Sequence, residues 1–125
     1  MRTPGDRARS YIFTTAPTPA DTAAALAAVA VVTSGEGDEL RARLRANIDQ
    51  LREGHPSPII PIHCGTEARA LAATDALLER DLLVPAIRPP TVAPGTSRLR
   101  VALSAAHTLD QARDLRRALD ELELT

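Results

Sequence analysis

Residues 82–103, LLVPAIRPPTVAPGTSRLRVAL, restrict the fold more than any other stretch of the chain. The last six residues alternate, with Leu99, Val101 and Leu103 on one face and Arg98 and Arg100 on the other, the period of a half-buried strand. LLVPAI reads as a partner strand, and Pro85, which has no N–H to donate, confines it to an edge or to irregular pairing. Between the two runs, Pro89 and Pro90 stiffen the backbone, and Pro94-Gly95 turns it through a residue free to adopt positive φ. The segment therefore reads as a hairpin with a rigid loop.

The other elements follow from caps and periodicity. MRTPGDRARS, residues 1–10, is polar and loose, and YIFTTAPTPAD opens as a short extended stretch. Thr18 is placed to cap a helix, with Pro19 at its first position and Asp21 three residues after the cap, and that helix runs to about Thr33. Gly35 and Gly37 break it, after which Leu40, Leu44, Ile48 and Leu51 mark one face of a second helix that Gly54 closes. IIPIHC is a short strand carrying Pro61, residues 66–80 form a third helix, and Thr108 with Gln111 caps a last one whose stripe is Ala112, Leu115, Leu119 and Leu122. This order gives an α+β domain over residues 1–125, with helices on one face of a small antiparallel sheet.

Composition excludes several classes of function. A formal charge of −1 on 125 residues does not make nucleic acid the obvious partner, and the longest apolar run, residues 23–32, is too short to cross a bilayer. Without a signal-peptide layout, and with Cys64 as the one cysteine, the chain reads as cytoplasmic, with neither a disulfide nor a Cys-rich metal framework. All fifteen basic residues are arginine, so no side chain of this polypeptide can form a Schiff base. One Phe and one Tyr leave a core of Ala, Leu, Val and Ile, small enough to need a partner surface.

Among candidate site residues, Thr91 offers a hydroxyl from a nearly fixed backbone, and Arg100 a planar fork suited to a carboxylate or phosphate. On the residues alone, such a loop is more often only a rigid connection, and such an arginine more often solvated or paired than a ligand anchor. His63 and Cys64 are neighbours on a strand and point to opposite faces, which argues against a dyad or a shared metal. His55 lies in a short loop from which it could reach anything, and Ser104 with His107 lacks the acid that a nucleophile-and-base pair requires. Thr14 and Thr15 are strand filler or, near a helix start, hydroxyls that could meet a phosphate.

RSYIFTTAPTP resembles the F-[ST]-T-x-x-P-P segment of the α-oxoamine synthases, and AIRPPTVAPGTSRLRVALSAAHT resembles the C-terminal signature of the biotin-pathway branch of that family. The resemblance runs from about Arg7 to the end and corresponds to the small C-terminal domain of these fold-type-I enzymes, without the large domain that carries the pyridoxal-phosphate lysine. It implies an acyltransferase that condenses L-alanine with a pimeloyl thioester and releases carbon dioxide, in a homodimer. It also implies that Thr14 and Thr15 approach the phosphate of the neighbouring subunit's pyridoxal 5'-phosphate, that Thr91 lies at the substrate site, and that Arg100 binds a carboxylate. With no lysine, the chain alone is expected to be inactive and to need the large domain or an upstream gene product as partner. Two departures stand out: APTP from Ala16 to Pro19 where the family has A-L-P-P, and a short HPS connection after Gly54. The other reading of the same element order is a stand-alone ferredoxin-like module that binds small molecules.

Overall fold

The structure, a computed structural model, describes residues 17–124. The expected extended stretch YIFTTAP, the loose residues 1–10, and Thr14 and Thr15 lie outside the described residues. The chain falls into two compact units, residues 1–38 and 39–125.

In the first unit, helix α1 (Pro19–Val32) starts as the sequence predicts. The Thr18 hydroxyl accepts from the Asp21 N–H at 3.1 Å and donates to the Asp21 carboxylate at 2.7 Å. The carboxylate thus meets the hydroxyl, whereas the Gln111 amide at the last helix reaches back to the cap's own N–H. None of the fourteen α1 residues is buried, although eleven of them are Ala, Val or Leu.

Helix α2 (Gly35–Leu51) takes in the two glycines that the sequence reads as breakers, and the break falls at Thr33–Ser34. The Ser34 hydroxyl receives the Gly37 N–H at 3.4 Å, so both glycines sit inside the first turn. Gly37 is required there because a Cβ would collide with the carbonyl oxygens of Val31 and Val32.

The second unit is built on a three-stranded antiparallel sheet in the order β1-β3-β2, where β1 is Ile59–Gly65, β2 Ala86–Ile87 and β3 Ser97–Ala102. Pro61 therefore lies on an edge strand, as expected. The strand expected over LLVPAI shrinks to Ala86–Ile87. Pro85 has no N–H for the ladder, although its carbonyl still receives the Arg100 N–H at 3.0 Å. Helix α3 (Glu67–Leu78) follows its cap Thr66 and stops short of Arg80, since Asp81 takes a left-handed φ of 60°. Helix α4 (Leu109–Glu121) has the full reciprocal cap between Thr108 and Gln111.

Burial alternates along both long strands. Ile60, Ile62, Cys64, Ser97, Leu99 and Val101 point inward and Ile59, His63, Arg100 and Ala102 point to solvent. The inward set packs with Ile48 and Leu51 of α2, Ala70, Ala73 and Leu77 of α3, and Ala112, Leu115, Ala118 and Leu119 of α4. Of the α2 stripe, Leu40 and Leu44 are only half-buried, and in α4 Leu122 is likewise half-buried. Each fully buried leucine contributes about 2 kcal/mol of apolar transfer free energy, and small alanines let the helices approach closely. Among the residues of the second unit, α2, α3 and α4 thus cover one face of the sheet and leave the other open, the α+β arrangement read from the sequence.

Candidate functional site

The open face and the β2–β3 loop carry the residues singled out by the sequence. Two turns stiffen the loop: the Thr91 N–H bonds to the Arg88 carbonyl at 3.0 Å, and the Thr96 N–H to that of Ala93 at 3.1 Å. Gly95 in the second turn has φ +79°, the role expected of Pro94-Gly95, and the Pro89–Pro90 peptide is cis. Arg88 closes the base of the loop by an ion pair of 2.7 Å to Glu67, the first residue of α3. Thr91 is exposed at this loop.

Arg100 lies on the open face directly opposite Pro61 in the β1–β3 register, and its backbone bonds to Pro85 on the other side. A proline therefore stands on each flank. Its guanidinium makes no ion pair or hydrogen bond among the described residues. Arg98 lies two residues nearer the loop, opposite His63, and its Nε donates to the Thr96 carbonyl at 3.0 Å. Neither arginine faces an acid from the sheet, because β1, β2 and β3 contain no Asp or Glu. Two strand residues span roughly 7 Å, so Arg100 is displaced from the loop by at least one side-chain layer, and no hydrogen bond joins it to Thr91. The arrangement can hold an oxyanion by a forked, charge-assisted pair of hydrogen bonds.

The weaker candidates resolve on geometry. Cys64 is 5% exposed and points into the core, where burial pushes its thiol pKa up, while His63 is on the open face, so the two share no site. Ser104 and His107 do meet, but through the Ser104 backbone N–H, which donates to His107 Nδ1 at 3.2 Å. The Ser104 hydroxyl instead accepts the Ala106 N–H, so it is turned to the chain and not to the imidazole. His55 Nδ1 sits 2.9 Å from the Ser57 carbonyl within its own loop.

Sequence reasoning missed Asn47. It is 2% exposed, and its amide donates to the carbonyl oxygens of Ser104 at 3.1 Å and His107 at 2.9 Å, tying the β3–α4 connection to α2. The one available signal was a polar residue beside the α2 apolar stripe. Glu67 was missed as well, for lack of any local pattern linking it to a residue in a distant loop. A concave region of about 420 Å³ between residues 80–84, the end of β3 and α4 includes neither Thr91 nor Arg100, and a second of about 400 Å³ near Asp49 and Arg116 does not either.

No protein-family profile matches the chain. The chain is similar to an 8-amino-7-oxononanoate synthase of Burkholderia mallei, 49% identical over 123 aligned positions that cover 90% of this chain and 31% of that protein. Among solved structures it resembles 8-amino-7-oxononanoate synthase from Francisella tularensis, with 30% identity and TM-score 0.71 over 94% of this chain and 36% of that one. A serine palmitoyltransferase from S. paucimobilis, solved with a bound pyridoxal phosphate–myriocin aldimine, aligns at 25% identity and TM-score 0.69 over 94% of this chain and 33% of that one. The chain thus spans about a third of the length of the relatives it matches.

Proposed function

Because this chain belongs to the α-oxoamine synthase family, as its C-terminal domain, we propose that it supplies the substrate-anion face of an enzyme that makes 8-amino-7-oxononanoate. In this reading the whole cytoplasmic enzyme condenses L-alanine with a pimeloyl thioester, with loss of carbon dioxide, in biotin synthesis. Arg100 holds a substrate carboxylate, Thr91 borders the substrate, and Thr14 and Thr15 approach the cofactor phosphate of a neighbouring subunit in a homodimer. The observation that carries the reading is the Arg100 guanidinium, exposed, without a partner among the described residues, and flanked by Pro61 and Pro85 on a face whose strands carry no carboxylate.

The residues of this chain do not fit a complete pyridoxal-phosphate site. It has no lysine to hold the aldehyde carbon and one Phe and one Tyr for stacking, and neither concave region is lined by the site residues. The cofactor's attachment belongs to the lysine-bearing large domain of such an enzyme, and no chemical step is assigned to residues here. What this chain's residues do is bind and orient: the guanidinium takes the carboxylate in a fork, and the stiff loop loses little entropy when it closes on a ligand. The 49% identity to an 8-amino-7-oxononanoate synthase over 90% of this chain favours this reading over a stand-alone ferredoxin-like module.

The test is reconstitution with a lysine-bearing large domain from a relative, supplied in trans or by fusion. Alanine-induced spectral titrations are expected to lose affinity in Arg100→Lys and Arg100→Ala, by about 2 to 5 kcal/mol for the alanine variant if the pair is desolvated, while cofactor binding survives. Arg98→Ala is expected to lose far less. Equal, small losses in all three variants would place the carboxylate elsewhere.

A further inference from the structure

Arg100 does not stand alone on the open face. His63 of β1 is paired in register with Arg98 of β3, so their side chains leave the sheet side by side, with Cβ atoms roughly 5 Å apart. Arg98 is partly held in place by its Nε bond to the Thr96 carbonyl, which leaves its two terminal nitrogens free of partners among the described residues. His63 is exposed and has no hydrogen bond there either. Ile87, the residue of β2 opposite Arg98, is apolar, and Glu67, the first residue of α3, is engaged by Arg88. By contrast, Arg45, Arg80, Arg88, Arg113, Arg116 and Arg117 all meet a carboxylate. Two donors directly across a ladder, one permanently cationic, with no acid between them, leave electrostatic and hydrogen-bonding capacity unmet.

We propose that Arg98 and His63 form a second oxyanion contact beside Arg100, so that this face binds a ligand with two anionic groups, one on Arg100 and one bridged between Arg98 and His63. The inference rests on the reading of Arg100 as an anion anchor. The second group is a carboxylate or a phosphate-type oxyanion, both of which accept from a guanidinium and an imidazole in the same way. The rigid β-ladder fixes the separation of the two points, so a ligand of matching span gains from both without ordering new backbone.

The experiment titrates the 125-residue chain, with backbone amide shifts of residues 61–63 and 98–101 followed by NMR at constant ionic strength. The probes are propionate, glutarate and 3-phosphonopropionate. Glutarate and 3-phosphonopropionate are expected to bind about fivefold more tightly than propionate, and the better of the two identifies the second group. His63→Gln and Arg98→Gln are expected to erase that advantage while propionate binding is kept, and His63→Arg to retain it. Arg100→Gln is expected to weaken all three probes. If the two-anion probes bind the wild-type chain no better than propionate, or keep their advantage in His63→Gln and Arg98→Gln, the second contact is refuted while the Arg100 reading stands. If His63→Gln and Arg98→Gln weaken the probes but Arg100→Gln does not, the Arg100 reading fails and the two-point arrangement with it. Amide shift dispersion in each variant, all at surface positions, verifies that the sheet is intact.

Discussion

Asn47 on α2 donates its side-chain amide to the backbone carbonyl of His107 at 2.9 Å, and thereby fixes the connection through which β3 enters α4. A second bond from the same amide to Ser104 completes the tie. Removing the amide leaves two part-buried carbonyls without these donors. Asn47→Ala is therefore expected to destabilise the domain by about 2 kcal/mol, read as a lower urea midpoint at unchanged m-value. Asn47→Asp, nearly isosteric but lacking the donor, should cost at least as much, and a change within error for both would refute the tie.

Ser97 presents the opposite case. Its hydroxyl is fully buried and has no hydrogen-bond partner among the described residues. Burying an unmatched hydroxyl costs free energy that alanine does not incur. Ser97→Ala is expected to be neutral or to stabilise by up to about 1 kcal/mol, measured by thermal and urea unfolding. A clear loss of stability would reveal a partner for the hydroxyl.

Asp49 should tie stability to acid pH. The hydrogen bond from Arg45 and then that from the Gly54 N–H hold its carboxyl pKa below the ordinary Asp value. Because the folded pKa is the lower one, the stabilisation is fully present above the unfolded-state Asp value of about 3.9 and is lost as pH falls through the folded one. A carboxyl ¹³C titration should place the Asp49 midpoint below that of an unstructured peptide. Arg45→Gln should move it upward, and an unmoved midpoint would remove Arg45 as the cause.

Helix α1 bears Leu26, Val29 and Val32 at 67, 59 and 58% exposure, a large apolar surface for one short helix. The isolated chain is expected to self-associate as its concentration rises, seen as a growing weight-average mass in sedimentation equilibrium. Leu26→Ser with Val29→Ser should reduce the association without loss of the sheet. A monomer that stays compact at high concentration would show that this surface tolerates water.

Much of the architecture was written locally. Thr18, Thr66 and Thr108 cap helices because a hydroxyl three residues before a free N–H needs no distant partner. The alternation of RLRVAL specified which of its residues enter the core, since a period of two is a property of the strand itself. The lack of lysine likewise rules out a Schiff base on any side chain of this polypeptide.

The same local rules overran where a partner decides the outcome. LLVPAI has the composition of a six-residue strand, but only Ala86 and Ile87 find ladder positions against Leu99 and Arg98. Gly35 and Gly37 read as breakers, yet both lie inside α2, and position 37 needs glycine because the preceding helix end leaves no room for a Cβ.

Of the site, the sequence by itself determined the residue types: a stiff loop with Thr91 after its Pro pair, and an arginine at position 100 on the polar face of its strand. Tertiary structure alone decided their surroundings. Register set Pro61 beside Arg100 and His63 beside Arg98, the loop base drew Arg88 to Glu67 twenty-one residues away, and packing brought Asn47 to a connection some sixty residues along the chain. Period and capping depend on bonds within a few residues and can be read from a single string of letters. Register and long-range pairing depend on which of many distant groups arrive together when the core closes, and that is settled by the folded geometry.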